Sequence, residues 1–223
     1  MRPQLVKRQK IASWTIGISL IIMAVAAGIA VGSFQSQLWI REDSKATMDA
    51  WDATQYNILL LLWLIILVTD GLVSLALYWY YLPKEKRLAQ WTSGLRWAYT
   101  LILGIAIYQL FPIPLINPSS IKASAILTQW NSFEYIWNLG LIIFGLHLCL
   151  WAWTAWNDAR GPKWLITILM VAGFAYVIIS LLKTIIPFPE LANSLNTIFM
   201  LPMIVGELGM GIWLLVWGRK TLF

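Results

Sequence analysis

Apolar residues along this chain form long continuous runs that are separated by short polar segments. Six runs have about 18 or more residues, the length that an α-helix needs to cross a hydrocarbon core of about 30 Å. The runs do not alternate between polar and apolar positions as the strands of a membrane β-barrel do. The pattern predicts an all-α polytopic membrane protein, a bundle of six transmembrane helices covering roughly residues 12–32, 56–80, 91–111, 132–156, 164–186 and 197–217.

The segments between the runs are too short to form a soluble domain, so residues 1–223 are predicted to be a single membrane domain. The first run follows a basic start, as in a signal peptide, but its ~20 residues exceed the 7–15 of a signal-peptide core. We therefore expect it to be retained as the first span. Pro112, Pro114 and Pro118 predict a non-helical connection over residues 112–131.

The basic residues predict the orientation of the chain. Eleven of the 16 Lys and Arg residues lie in the two tails and in the second and fourth connections. Short segments rich in Lys and Arg stay on the cytoplasmic side of a membrane. Both termini are therefore predicted to be cytoplasmic, and the location to be the bacterial cytoplasmic (inner) membrane. This topology accounts for the net charge of +6, so no nucleic-acid partner is expected.

Composition supports the membrane assignment and restricts the chemistry. Only 12% of the residues are charged, about half the share in soluble domains. A single cysteine and a single histidine exclude an intramolecular disulfide, a four-cysteine metal site and the H-E-x-x-H zinc motif. The chain also has no phosphate-binding or dinucleotide-binding glycine motif. No metal and no cofactor are predicted, and the sequence leaves open whether the protein is an enzyme.

Tryptophan and tyrosine are concentrated near the ends of the apolar runs, as at Trp130, Trp151, Trp164 and Trp217. Indole and phenol rings favour the headgroup region of a bilayer. Most of the 15 tryptophans are therefore predicted to form an interfacial belt. A tryptophan-lined site for a pigment or a quinone is the alternative interpretation.

Five polar side chains lie inside the predicted spans, where a charge costs at least about 2.5–3.5 kcal/mol. They are Asp70, Arg96, His147, Tyr176 and Glu207, one on each of spans two to six. At about 1.5 Å per helical residue, they lie some 8–18 Å from the cytoplasmic ends of their helices. The spacing predicts one polar layer in the cytoplasmic half of the membrane. The first span contributes no such residue, which suggests a peripheral helix.

The composition of this layer allows two interpretations. Arg96 requires a carboxylate, and both Asp70 and Glu207 can supply one; the other carboxylate, with His147, would then suit a ligand-binding site or a proton relay. Glycines beside Glu207, at positions 206, 209 and 211, would let a backbone or a ligand come close. Alternatively, the polar contacts only fix the register of the helices.

Short motifs around these residues resemble a family of bacterial membrane proteins known as domain of unknown function 4386. The matching pieces extend over nearly the whole chain: Asp70 with Leu75-Ala76-Leu77-Tyr78, Leu95-Arg96, Phe144-Gly145-Leu146-His147, Gly161-Pro162 through Ala172-Gly173 to Tyr176, and Gly206-Glu207-Leu208 with Trp213-Leu214-Leu215. The chain departs from the family pattern at Leu165-Ile166 and in its heavier tryptophan content. The resemblance implies a six-helix bundle but no activity.

Three functions fit the sequence. The first is binding or transport of a lipid or small amphiphilic molecule at the polar layer. The second is a membrane enzyme for a lipidic substrate, with Glu207 or Asp70 as base and His147 as acid. The third is an accessory subunit that has protein partners in the membrane. An open pocket at the layer favours the first two, and a closed, self-paired layer favours the third.

Overall fold

The computed structural model describes residues 3–39, 47, 52–111, 123–157 and 161–218. Almost all of these residues are helical, and no strand occurs among them, which confirms the all-α prediction. The long helices, numbered in chain order, are α1 (Pro3–Ile29), α2 (Ala53–Tyr81), α3 (Lys86–Tyr108), α4 (Ala123–Asn157), α5 (Lys163–Thr184) and α6 (Pro189–Val216). After α1 the chain continues as a π-helical segment, Ala30–Gln35, and a last helical turn, Ser36–Leu38.

Acidic side chains fix the starts of α2 and α3. Asp52 Oδ1 accepts hydrogen bonds from the backbone N–H groups of Thr54 and Gln55, at 2.7 and 3.0 Å. Glu85 Oε1 accepts from the backbone N–H of Arg87 at 3.2 Å. The first N–H groups of a helix have no partner within the helix, so these contacts stabilise the two starts.

Each predicted span overlaps one long helix, but three helices begin much earlier than predicted: α1 starts at Pro3 rather than near residue 12. Helix α4 starts at Ala123 rather than near residue 132, and α6 starts at Pro189 rather than near residue 197. An apolar run marks only the part of a helix that suits hydrocarbon, whereas backbone hydrogen bonding continues through polar residues. The prediction of a non-helical connection is therefore wrong for residues 123–131; its three prolines lie outside the described residues.

The helices form a closed ring in chain order. Every helix packs against the next one, and α6 packs against α1. The connections after α2, α4 and α5 have only four or five residues, which makes the helices that they join antiparallel. The prediction of a peripheral α1 is wrong, because α1 packs against both α2 and α6. It failed because apolar packing, and not only a charged residue, can hold a helix in a ring.

Hydrogen bonds identify which helix ends meet. Ser13 Oγ, near the start of α1, donates to the carbonyl of Leu214 near the end of α6. Gln9 Nε2 donates to the carbonyl of Tyr80 at 2.9 Å, and Trp151 Nε1 donates to the hydroxyl of Tyr81 at 3.1 Å. The start of α1 and the ends of α2, α4 and α6 therefore lie together, at what we call the terminal end. The opposite end is called the far end.

The outer surface of the ring is apolar. Residues such as Leu61, Val68, Ile198 and Leu201 expose more than half of their side chains. Five of the described helical segments are long and apolar enough to cross a membrane; they contain α1, α2, α4, α5 and α6. The chain is accordingly a multi-pass membrane protein.

Several of the tryptophans predicted for the interfacial belt lie inside the bundle instead. Trp130 and Trp151 are fully buried, whereas Trp164 and Trp217 are exposed as predicted. Near the far end, Trp130 stacks on Trp39 with ring centroids 5.5 Å apart. Position near the end of a span predicts the depth of a ring but not the direction in which it points, so the belt prediction is wrong for these buried rings.

Two glycines bring α4 and α5 into close contact. A Cβ atom added to Gly145 would lie 2.6 Å from the carbonyl oxygen of Gly173, and one added to Gly173 would lie 2.8 Å from that of Gly145. Only residues without a side chain permit this approach. At Gly28, in α1, an added Cβ would meet nothing within 4 Å.

We predict that Gly145→Ala lowers the free energy of unfolding by about 1–3 kcal/mol, because the methyl group forces the two backbones apart. Gly28→Ala is the matched control and should keep or raise stability, since alanine is the better helix former. Thermal unfolding of the purified protein in detergent measures both. Equal midpoints for the two variants would contradict the close contact.

Candidate functional site

Arg96 of α3 lies at the centre of the ring with a fully buried side chain. Its Nη2 atom is 2.6 Å from Asp70 Oδ1 on α2 and 3.0 Å from Glu207 Oε1 on α6. Its Nη1 atom is 3.4 Å from His147 Nε2 on α4. We call Asp70, Arg96, His147 and Glu207 the Arg96 cluster. The structure thus brings four of the five predicted polar residues into direct contact.

Asp70 is the firmly held carboxylate of the cluster. Its side chain is fully buried, and its second oxygen accepts a hydrogen bond from the Thr100 hydroxyl, one turn beyond Arg96 on α3. The Ser74 hydroxyl lies 3.4 Å from that of Thr100, and Ser93 Oγ donates to the Ser74 carbonyl at 2.7 Å. These contacts fix α2 against α3 around the ion pair.

His147 has both ring nitrogens occupied by protein groups. Nδ1 lies 2.8 Å from the carbonyl oxygen of Thr92, which can only accept a hydrogen bond, so Nδ1 carries a proton. Nε2 faces the Arg96 guanidinium, which can only donate, so Nε2 presents its lone pair. The contacts therefore assign a neutral imidazole, which adds no charge to the cluster.

Glu207 is the loosely held carboxylate. Its side chain keeps 14% of its surface exposed, and its contact within the cluster is made through Oε1. The neighbouring glycines serve helix packing, since a Cβ at Gly206 would lie 3.0 Å from Leu169 Cα on α5. One at Gly211 would lie 2.9 Å from Leu20 Cδ1 on α1. Of the two predicted uses of these glycines, the structure shows the close approach of neighbouring helices.

Tyr176, the fifth predicted residue, reaches the cluster only through another ring. It packs edge-on against Phe144, with centroids 5.1 Å apart, and the Phe144 ring centroid is 5.3 Å from Arg96 Cζ. Among the described residues, no hydrogen bond joins the Tyr176 hydroxyl to the cluster. Phe144 therefore covers one face of the buried guanidinium, a favourable cation–π contact.

Sequence reasoning missed two neighbours of Arg96. Phe144 and Met23, whose Sδ lies 3.9 Å from Arg96 Nη2, are apolar residues in apolar runs, so nothing in their type distinguishes them. Phe144 does lie three residues before His147, on the same helical face. Thr100, four residues after Arg96, lies on the same helical face as Arg96, as the sequence spacing predicts. Met23 has no such signal.

One guanidinium faces two carboxylates in this cluster. With His147 neutral, full ionisation of Asp70 and Glu207 would leave a net charge of −1 in a buried site. A buried charge that lacks compensation costs several kcal/mol. The buried Nε atom of Arg96 also has no hydrogen-bond partner among the described residues. One more cation or proton would therefore cancel the excess negative charge of the cluster. A polar group could also accept a hydrogen bond from Arg96 Nε.

The cluster is closed in this structure. Asp70, Arg96 and His147 are fully buried. Two grooves, of about 570 and 240 Å³, lie on the outside of the ring between α1 and α2 and between α5 and α6, and neither is lined by a cluster residue. Within the described part of the chain, no group of three or more His, Cys, Asp and Glu residues could hold a metal ion.

Comparison with known proteins gives a family but no activity. The family model described as "Domain of unknown function (DUF4386)" matches residues 15–218. An uncharacterized protein of Archaeoglobus fulgidus is 29% identical over 158 residues, which cover 70% of this chain and 81% of the relative. That relative is archaeal, so the bacterial origin expected from the sequence stays a prediction. No solved structure matches the chain.

We predict that substitution of Arg96 destabilises the protein much more than substitution of Glu207 does. Arg96→Gln leaves two carboxylates without their cation and should lower the free energy of unfolding by about 3–5 kcal/mol. Glu207→Gln should cost about 1 kcal/mol or less, because Asp70 still pairs with Arg96. Chemical unfolding in mixed micelles measures both. A loss for Glu207→Gln as large as that for Arg96→Gln would contradict the division into firmly and loosely held carboxylates.

Proposed function

The chain belongs to the family described as a domain of unknown function (DUF4386), and we propose its function from the Arg96 cluster. The protein would bind or transport a small molecule or lipid at this cluster. The observation that carries the proposal is that two carboxylates converge on one buried guanidinium. A structural ion pair needs only one, so the second is available for exchange.

The proposal includes six membrane spans. Helix α3 carries Lys86, Arg87 and Arg96, which lowers its hydropathy. Its exposed positions nevertheless form an apolar stripe at helical spacing, which includes Trp97, Leu101, Ile105 and Tyr108. Arg96 is turned inwards and paired. From Trp91 to Tyr108, 18 residues, α3 exposes only aliphatic and aromatic side chains. This stretch lies between α2 and α4 and suits a membrane as well as the neighbouring helices do.

The orientation proposed from the sequence is that the terminal end faces the cytoplasm, in the cytoplasmic membrane. Lys7, Lys84 and Lys86 lie at this end of the helices. Two other cations there rest on aromatic rings: Arg8 Cζ is 5.1 Å from the Trp79 ring centroid, and Lys163 Nζ is 5.4 Å from that of Trp156. Cations beside interfacial tryptophans are typical of the cytoplasmic ends of spans.

Glu207 is the member of the cluster that we expect to exchange partners. It is the only cluster residue with exposed surface, and its helix α6 is the least enclosed of the five apolar spans. In the most apolar stretch of α6, 28% of the residues are buried, against 39–50% in the other four. The observed cluster would then be the closed state, and a bound molecule or a proton would replace the contact between Arg96 and Glu207.

A second candidate, an accessory subunit whose polar layer is only structural, is favoured by a specific observation. Asp70 and His147 both contact Arg96, and all three side chains are fully buried. A closed, paired layer of this kind is what the sequence analysis expects of an accessory subunit. The enzyme alternative has less support, because both nitrogens of His147 are engaged by Thr92 and Arg96. A role as general acid would require this histidine to leave both partners.

For the topology, we expect Lys86→Cys and Tyr108→Cys, each in a Cys149→Ser background, to react with an impermeant thiol reagent from opposite sides. The first should react in inverted vesicles and the second in intact cells, because a spanning α3 places its ends in different compartments. The unsubstituted Cys149→Ser chain is the control. Reaction of both positions from one side would exclude six spans.

For the binding proposal, Glu207→Gln should fold but lose ligand-dependent stabilisation. A panel of soluble lipids and small amphiphilic cations and anions, screened by thermal shift, should raise the wild-type melting temperature for at least one compound. Glu190→Gln is the matched control, an exposed carboxylate on the same helix. A compound that stabilises the wild type and both variants equally does not bind at Glu207. If every stabilising compound behaved in this way, the accessory-subunit alternative would be favoured.

A further inference from the structure

The larger surface groove points to a second binding site, separate from the Arg96 cluster. The groove has a volume of about 570 Å³ and runs along the outer face between α1 and α2. We propose that it binds one acyl chain of an anionic phospholipid, with the phosphate headgroup at Lys10. The occupant is identified by the chemistry of the groove from its mouth to its inner end.

The walls of the groove suit a hydrocarbon chain. Helix α1 contributes Ile11, Trp14, Ile18 and Ile22, which are all exposed on its outer face, and α2 contributes Leu72. These α1 residues follow one another at intervals of three or four, so they form a continuous stripe along the helix axis. A stripe of this kind next to a second helix offers contact along the whole length of an extended acyl chain.

The mouth of the groove suits an anion. Lys10 lines it at the terminal end, and Lys7, one turn earlier on α1, is exposed on the same side of the helix. The remaining lining residues are apolar or carry hydroxyl groups. Basic residues at the membrane-surface end of a groove between helices are a recurrent feature of sites for anionic lipid headgroups. A zwitterionic headgroup would bring its own cation towards these lysines.

The dimensions agree with one leaflet of a bilayer. Twelve residues separate Lys10 from Ile22, which corresponds to about 18 Å along the helix, close to half of a hydrocarbon core of about 30 Å. Trp14 lies one turn inside the lysine, at the depth where indole rings favour the headgroup boundary. The groove therefore begins at a charged interface and ends near the middle of the membrane, as a bound lipid does.

Native mass spectrometry of the full-length protein in detergent tests this site with two probes, phosphatidylglycerol and phosphatidylcholine of identical acyl chains. Wild-type protein should retain phosphatidylglycerol more strongly. Lys10→Gln should weaken its retention about fivefold, the effect of removing one cation close to an anionic surface, whereas Lys10→Arg should preserve it. Thr15→Trp should abolish the preferred adduct by filling the groove, which Thr15 lines.

Lys86→Gln is the matched control, because it removes one cation from the terminal end on a different helix, away from the groove. It should leave the retention of phosphatidylglycerol unchanged, as should Glu207→Gln, so this site is tested independently of the Arg96 cluster. Equal retention of the two lipids by the wild type would overturn the proposal. So would equal losses in Lys10→Gln and Lys86→Gln, or an unaffected Thr15→Trp variant, or a dimer in place of the lipid adduct.

Discussion

The structure depends on the burial of one arginine inside a bundle that is surrounded by apolar surface. A guanidinium in such a place is stable only when fixed partners replace its water. Arg96 obtains these partners from α2, α4 and α6 at a single depth. Because groups on all three helices contact this one side chain, the same contacts fix the rotation of α3 about its axis and hold α2, α4 and α6 around it. Arg96 is also one of the three basic residues that lower the hydropathy of α3.

The partners of Arg96 differ in how firmly they are held. Asp70 is enclosed, accepts a hydrogen bond from the Thr100 hydroxyl and forms an ion pair with the guanidinium, whereas Glu207 keeps exposed surface. An arrangement that only set helix register would gain nothing from a second carboxylate, since each buried carboxylate adds a desolvation cost. This inequality separates a fixed half of the cluster, on α2 and α3, from a half that can change.

The cluster was accessible to sequence reasoning because charges in hydrocarbon must find one another. Counting residues from the helix ends placed Asp70, Arg96, His147 and Glu207 at similar depths, and the structure brings them into contact. Phe144 is one of many apolar residues in an apolar run, so its residue type did not identify it as a neighbour of Arg96. Depth also does not define direction, so the burial of Trp130 was not predicted. Apolar runs likewise missed the first turns of α1, α4 and α6, which contain polar residues.

The position of Glu207 connects its chemistry to the architecture of the ring. Helix α6 closes the ring by packing against α5 and α1, and it is the least buried of the apolar spans. The contact between Glu207 and Arg96 is the polar link from this helix to the centre. Protonation of Glu207, or its replacement at Arg96 by another group, would remove that link and leave α6 held by its glycine-rich contacts and by the hydrogen bond from Ser13 to the Leu214 carbonyl near its end. Exchange at Glu207 and displacement of α6 are therefore parts of one process in the proposed function.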